Sequence, residues 1–586
     1  MSSSSASLPY HEPDILTILI HASFLLVLNA VNYVLDNLLY CGLVGQLLVG
    51  IAWGTPGAKW LPDQVETVIV QLGYLGLILL VYEGGLSTSF PSLKANILLS
   101  VSVALTGICV PIALSFTLQG IAGASPLQAF AAGAALCSTS LGTTFTILGT
   151  TGLTDTRLGV VLTSAAMLDD VVGLVMVQII SNLGASGSGF NSTTVVRPVF
   201  VSLGFAIICP LACWMVVSPL TLMLNKYRDK NPDNWIQRLI VREQTAFILH
   251  TTILMAMVTA SSYAGTSNLF AAYLSGAMVS WWDSEVPHPP LHSEDKRINF
   301  SAHRDRNAAN SSAPLVSTTE SKIKTQNILD TSTSQPACKQ SGAAIFHAYY
   351  AQPTDKILKP FCFASIGFSI PISKMFTGTV VWRGLIYTLL MAFGKMTCGL
   401  WLIRFAVPFP KKIHPRHLSH FLPSTNHFWG RGSPVACPLT DQASAQVGEL
   451  QDHNPAGSIT KQKQENRESH ATTTKAADQI IPPTPSPHLS ASPSKPLSIH
   501  PASILGFAMV SRGEIGFLIS SLADSNGIFS TGGDDDIFLI VTWAIVLCTV
   551  IGPIGVGLLV KRLKRLEMAK ENGGGGRDVL GVWGVR

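Results

Sequence analysis

Two adjacent aspartates, Asp169 and Asp170, sit inside the run TRLGVVLTSAAMLDDVVGLVMVQIISN, where almost every flanking residue is apolar. Asp169 lies about 18 Å of helix beyond Arg157, which puts both carboxylates near the middle of a run long enough to cross a bilayer. An ionised carboxylate at that depth is costly, so acids inside a membrane face a cavity and handle ions or protons. Helix neighbours point about 100° apart, so one aspartate can meet a partner while the other faces a water-filled path. Lys395 is central in GLIYTLLMAFGKMTCGLWLIRFAV, too deep for its stem to reach an interface. A lone buried ammonium needs a counter-charge, and we expect it to pair with Asp169.

Two further runs combine apolar flanks with breaks. STSLGTTF, from Ser138 to Phe145, places dense hydroxyls and Gly142 within an apolar segment. Hydroxyls and freed carbonyls can coordinate a small cation, and broken backbone is tolerated at membrane depth only where protein buries it or it lines a cavity. Helix packing through small residues is the other reading of the same stretch. SRGEIGF sets two glycines, Gly513 and Gly516, beside Arg512 and Glu514 in another apolar run. Their expected role is structural, neutralising helix ends or each other.

Membrane helices must carry these groups. Charged residues make up 12% of the 586 and hydrophobic ones 47%, whereas soluble chains carry about 25% charged residues. Apolar runs begin near Asp14, Tyr40, Glu66, Ala95, Pro126, Thr156, Val196, Val241, Ser267, Ile345, Thr379, Ala502 and Asp536. The expected fold is all-α, a polytopic membrane protein with about 13 transmembrane helices. The first 13 residues, MSSSSASLPYHEP, lack the basic region of a signal peptide, so the first run is expected to be a retained span. The ten cysteines show no Cys-x-x-Cys pairing, so neither a disulfide framework nor a zinc site is indicated.

Polar stretches divide the chain. Residues 14–282 form a first transmembrane part, 283–343 a loop, 344–406 the tenth and eleventh helices, 407–500 a Pro/Ser-rich loop, 501–560 the last two helices and 561–586 a basic tail. Both loops are too polar to offset ordering entropy by burial and are expected to be disordered. With an odd span count, Lys226, Arg228, Lys230, Arg238 and Arg242 fall on the same side as the terminal KRLKRLEMAK. The positive-inside rule then makes the C-terminus cytosolic and the N-terminus external or lumenal. The acidic DSNGIFSTGGDDD and Asn191, in the sequon N-S-T, lie on the opposite side.

The order of features suggests a repeat. Spans four to six run plain, interrupted and acidic; spans eleven to thirteen run plain with Lys395, interrupted and plain. The triplets are offset by an odd number of spans and enter from opposite faces, as two inverted repeats with discontinuous crossing helices require. STSLGTTFTILGTTGLTDTRLGVVLTSAAMLDDVVGL resembles the monovalent cation:proton antiporter superfamily, and its paired aspartate resembles the electrogenic branch. GKMTCG around Lys395 and SRGEIGF around Arg512 resemble the family's later motifs, in the expected order. The two long loops depart from compact prokaryotic members, and no cytosolic nucleotide-binding domain of the kind some potassium-efflux relatives carry is visible in the sequence.

The resemblance implies that Asp170 carries the ion, with Na⁺ or K⁺ bound there transiently. Asp169 would be the partner of Lys395 and a second proton site, and Thr139 and Ser140 would lie beside the ion. It also implies a scaffold domain, a mobile core moving elevator-fashion, and a homodimer. The expected activity is exchange of Na⁺, K⁺ or Li⁺ for protons in a plasma or internal membrane, in the service of pH homeostasis. Burial and a nearby ammonium pull an acid's proton affinity in opposite directions, so such an aspartate can titrate near physiological pH. A sodium-coupled organic-anion symporter, a channel and a non-transporting sensor are the alternatives. No nucleophile–base arrangement, phosphate-cradling loop or cofactor motif argues for an enzyme, and neither nucleic acid nor a cofactor is expected as a partner.

Overall fold

The computed structural model describes residues 12–39, 42–88, 90–140, 148, 153, 156–185, 192–230, 242–286, 341–403, 499–530, 536–573, 580 and 583–584. All of these fall in one compact unit, Met1–Ala406 with Pro496–Arg586; a second unit, Val407–Lys495, lies outside them. Also outside are Leu141–Phe145 of the hydroxyl-rich stretch, Asn191, most of the basic segment after Tyr227, and nearly all of both polar loops.

The described residues contain helices and no strand. The α-helices of eight residues or more are, in chain order, α1 (Ile15–Leu39), α2 (Gly42–Trp53), α3 (Asp63–Leu86), α4 (Phe90–Ser115), α5 (Pro126–Ala135), α6 (Arg157–Ala185), α7 (Ser192–Ala212) and α8 (Ser218–Lys230). They continue with α9 (Glu243–Ala264), α10 (Asn268–Glu285), α11 (Gly342–Tyr349), α12 (Lys359–Phe368), α13 (Gly378–Met396), α14 (His500–Val510), α15 (Glu514–Ser525) and α16 (Asp536–Gly573).

Nine helical segments among the described residues are long and apolar enough to cross a membrane. The count of about 13 expected from apolar runs is reached only by adding shorter pieces: α2, α5, α10, and α11 with α12. Continuous length is lost there for local reasons. A π-turn at Thr354–Leu358 lies between α11 and α12. Such a turn disrupts the regular carbonyl ladder, and Asn29 Nδ2 donates to the Lys356 carbonyl at 2.9 Å. Helix α16 runs on to Gly573, so the basic tail begins as helix. Apolar side chains stand in the open around the outside, among them Leu26, Phe200 and Trp214, which suits lipid rather than water as the surrounding solvent.

Helices α1, α2, α3, α10 and α12 pack as one neighbourhood, and α4, α5, α6, α13, α14, α15 and α16 as another. Small residues let helices approach in the first. A Cβ on Gly85 of α3 would stand 2.9 Å from the Ala277 nitrogen and 3.0 Å from Gly276 Cα of α10, so a side chain there would force the pair apart. The second neighbourhood holds the buried charges.

Candidate functional site

Helix α5 starts sharply. Pro126 occupies its first turn, Ser125 Oγ accepts from the Gln128 N–H at 3.3 Å, and Gln128 Oε1 accepts from the Ser125 N–H at 2.7 Å. This reciprocal cap satisfies donors that a helix start otherwise leaves open. The helix stops before Ser138, and Ser138–Ser140 is without regular structure. Helix α14 likewise stops at Val510, Ser511–Gly513 is extended, and α15 begins at Glu514.

The two breaks cross. The Ser140 N–H donates to the Ser511 carbonyl at 3.1 Å, and Arg512 Nη1 donates to the Ser138 carbonyl at 2.7 Å. A Cβ on Gly513 would lie 2.8 Å from Ser140 Cβ, so glycine is what lets the chains touch. Arg512 is fully buried, lies beyond the C-terminal ends of both α5 and α14, and meets no carboxylate within 4 Å among the described residues. Its charge opposes the partial negative charge of those ends. Glu514 stands in the first turn of α15, where a helix dipole favours an acid. Both charges are thus set against helix ends.

Asp169 and Asp170 project from α6 to different surroundings. Asp169 is fully buried; its Oδ2 accepts from the Lys395 ammonium of α13, with which it forms an ion pair, and from Thr139 Oγ1 at 2.6 Å. Lys395 Nζ also donates to Thr139 Oγ1 at 3.0 Å. The Thr139 hydroxyl is therefore spent within this pair, whereas its backbone N–H reaches the Asp170 carboxylate. Asp170, together with Ser140 and Glu514, lines a cavity of about 580 Å³.

That cavity runs between the two neighbourhoods toward the end where α1 and α3 finish and α2 starts. Asp36, Glu83, Asp355, Lys356 and Lys359 also line it. Reasoning from the sequence missed the whole contribution of α2 and α3. The available signals were Gln46, the one strongly polar side chain in GLVGQLLVGIAW, and Glu83, an acid near the end of an apolar helix. Among the described residues no group of His, Cys, Asp and Glu could hold a metal ion. A site made of carboxylate and hydroxyl oxygens suits a transient alkali cation.

Fold and site together define a multi-pass integral membrane protein in which the chain leaving α5 meets the break between α14 and α15 beside buried, oppositely charged side chains. Residues 24–295 match the family described as "Sodium/hydrogen exchanger, transmembrane". Through this region the chain is similar to that family. It is 27% identical over 210 residues to the high-affinity Na⁺/H⁺ antiporter NhaS3 of Synechocystis sp., covering 35% of this chain and 44% of that protein. It is 26% identical over 254 residues to the probable Na⁺/H⁺ antiporter GerT of Bacillus cereus, covering 42% and 61%. The Na⁺/H⁺-K⁺ antiporter GerN of the same organism is 29% identical over 158 residues, covering 27% and 40%. The matches thus span between 40% and 61% of these relatives. Among solved structures, the sodium proton antiporter MjNhaP1 of Methanocaldococcus jannaschii aligns with a TM-score of 0.47 and 12% identity, covering 94% of this chain and 98% of that one.

Proposed function

We propose that this chain is a secondary active antiporter that exchanges a monovalent cation, sodium foremost, for protons at Asp170. The observation that carries the reading is the split between neighbouring carboxylates: Asp169 is held by Lys395, while Asp170, one residue on, lines a cavity. The names of the relatives point the same way.

Protons and cations compete for one carboxylate. With a proton, Asp170 is neutral; with a cation, its charge is matched. Either loaded form can cross the membrane interior, while the empty ionised form cannot cross cheaply, because burying an unpaired charge is costly. That asymmetry couples the two fluxes. Alternating access follows if the neighbourhood bearing α5, α6, α14 and α15 moves against the one bearing α2 and α3. Asp169, released from Lys395, serves as the second proton site. Exchange of two protons for one cation then moves net charge, and voltage biases each cycle by about 2.3 kcal/mol per charge per 100 mV.

Basic segments place the C-terminus in the cytosol, so the cavity, at the end where α1 finishes, faces the cytosol. The protein works as a homodimer in a plasma or internal membrane and contributes to pH homeostasis. The test is proton flux in proteoliposomes loaded with a pH dye, on addition of Na⁺, K⁺ or Li⁺. Wild type moves protons in the direction opposite to the cation, and folded Asp170→Asn moves none. Retained coupled flux in that variant defeats the assignment.

A further inference from the structure

Helix α16 changes character along one face as it leaves the membrane. Asp536 opens the helix, and Lys561 follows about 37 Å further along its axis. That exceeds a hydrocarbon core of about 30 Å and brings the next turn level with the lipid headgroups. One face packs inward, where Val556, Val560 and Leu563 are buried. The opposite face looks outward. Ile554 and Leu558 stand on it, 38% and 66% exposed, and Lys561 and Arg565 continue the same stripe at helical spacing. Arg562 and Lys564 flank the stripe and are exposed as well.

Basic residues beside a span orient the chain in the membrane, and any loop can carry them for that purpose. Orientation does not require cations on a particular face of a helix. Here they prolong the face whose aliphatic side chains stand outward, so they project among headgroups and away from the protein interior. The segment KRLKRLEMAK holds five bases and one acid, so this turn of the helix is strongly cationic. Beyond α16 the chain goes elsewhere: Leu580 and Trp583 are buried, and the Trp583 ring lies 5.1 Å from Arg157 Cζ at the start of α6. Lys and Arg clustered directly beyond a span attract the anionic lipids of a cytosolic leaflet.

We propose that Lys561, Arg562, Lys564 and Arg565 form a binding surface for anionic phospholipid headgroups, whose acyl chains lie along Leu558 and Ile554. The surface is separate from the cavity of Asp170 and goes beyond the antiport reading. The cytosolic placement of the C-terminus makes its leaflet the anionic one. Helix α16 packs on α13, α14 and α15, so a lipid held there braces the neighbourhood that contains the buried charges. A soluble phosphate would meet the same cations but not the aliphatic stripe, and the two are separable by experiment.

The test is thermal unfolding of the purified full-length protein in neutral detergent with added short-chain phosphatidylserine. Short-chain phosphatidylcholine, glycerophosphoserine and inorganic phosphate serve as comparisons. A ligand that binds only the folded state raises the unfolding temperature with its occupancy. Phosphatidylserine should raise it beyond phosphatidylcholine, and the gain should fade at high salt, which screens exposed charges. Lys561→Gln or Arg565→Gln should each need about fivefold more phosphatidylserine for the half-maximal shift. Lys561→Arg keeps the charge and should bind as wild type does. Lys59→Gln removes an exposed cation between α2 and α3 and should leave the half-maximal concentration unchanged. Should one of the two glutamine variants fail to fold, the other, one turn away on the same stripe, decides.

Equal stabilisation by phosphatidylserine and phosphatidylcholine overturns the proposal. So does equal stabilisation by glycerophosphoserine or phosphate, which would make this a site for soluble anions. A phosphatidylserine gain that neither glutamine variant weakens puts the lipid elsewhere and overturns the assignment. The shift is read in detergent, where sidedness and transport play no part, so a failure of the antiport reading leaves this outcome untouched.

Discussion

Replacing Lys395 by methionine keeps the side chain's length but leaves Asp169 as an unpaired carboxylate. Both members of the pair are fully buried, so the discount that applies to exposed ion pairs does not apply here. Removing one partner of a buried pair costs about 3–5 kcal/mol, whereas replacing both by neutral groups of similar volume is close to neutral. An orphaned carboxylate can gain a proton and an orphaned ammonium can lose one, which caps each single loss. The expected cycle is therefore two destabilised singles, Lys395→Met and Asp169→Asn, and a double variant near wild type. Their coupling, the double's loss less both single losses, is then about 6–10 kcal/mol before that cap, well above the usual range for residues in contact. Thr139→Val, which removes the hydroxyl placed 3.0 Å from Nζ and 2.6 Å from Oδ2, should cost about 1–3 kcal/mol by leaving its neighbours short of a bond. The assay is reversible unfolding in mixed micelles, followed by intrinsic fluorescence and independent of transport. Coupling below about 1 kcal/mol would mean that Lys395 and Asp169 do not neutralise each other, and the account of the split aspartates would fail.

Three further expectations concern packing and surface. Arg383 and Asp536 approach to 3.7 Å with about a third of each side chain exposed; Arg383→Ala should change stability by less than about 1 kcal/mol, and a larger loss in the same unfolding assay would contradict that. Gly513→Ala places a methyl group against Ser140 and should cost about 1–3 kcal/mol; an unchanged melting temperature would show that the crossing has slack. Ser125→Ala removes the capping box of α5 and should lower stability by about 1 kcal/mol. A chemical denaturation midpoint equal to that of wild type would count against the cap.

Much of the site was legible because membranes make polarity conspicuous. Asp169, Asp170 and Lys395 stand out of apolar runs, and a buried charge demands a partner, so pairing could be reasoned before any coordinates. Breaks were legible too, since hydroxyls and glycine interrupt apolar helices at Ser138–Ser140 and Arg512–Glu514. Glu514 illustrates the limit. Beside Arg512 in the sequence it reads as half of an ion pair, yet the break turns Arg512 toward the Ser138 carbonyl and Glu514 into the cavity.

Depth and charge are local properties, carried by each run on its own, and the sequence by itself therefore determined that this is a membrane protein with carboxylates and an ammonium in its interior. Which helices approach one another depends on the summed packing of surfaces far apart in the chain. Only the tertiary structure decided that Asp169 meets Lys395 across 226 positions, that the two breaks touch, and that α2 and α3 wall the cavity of Asp170.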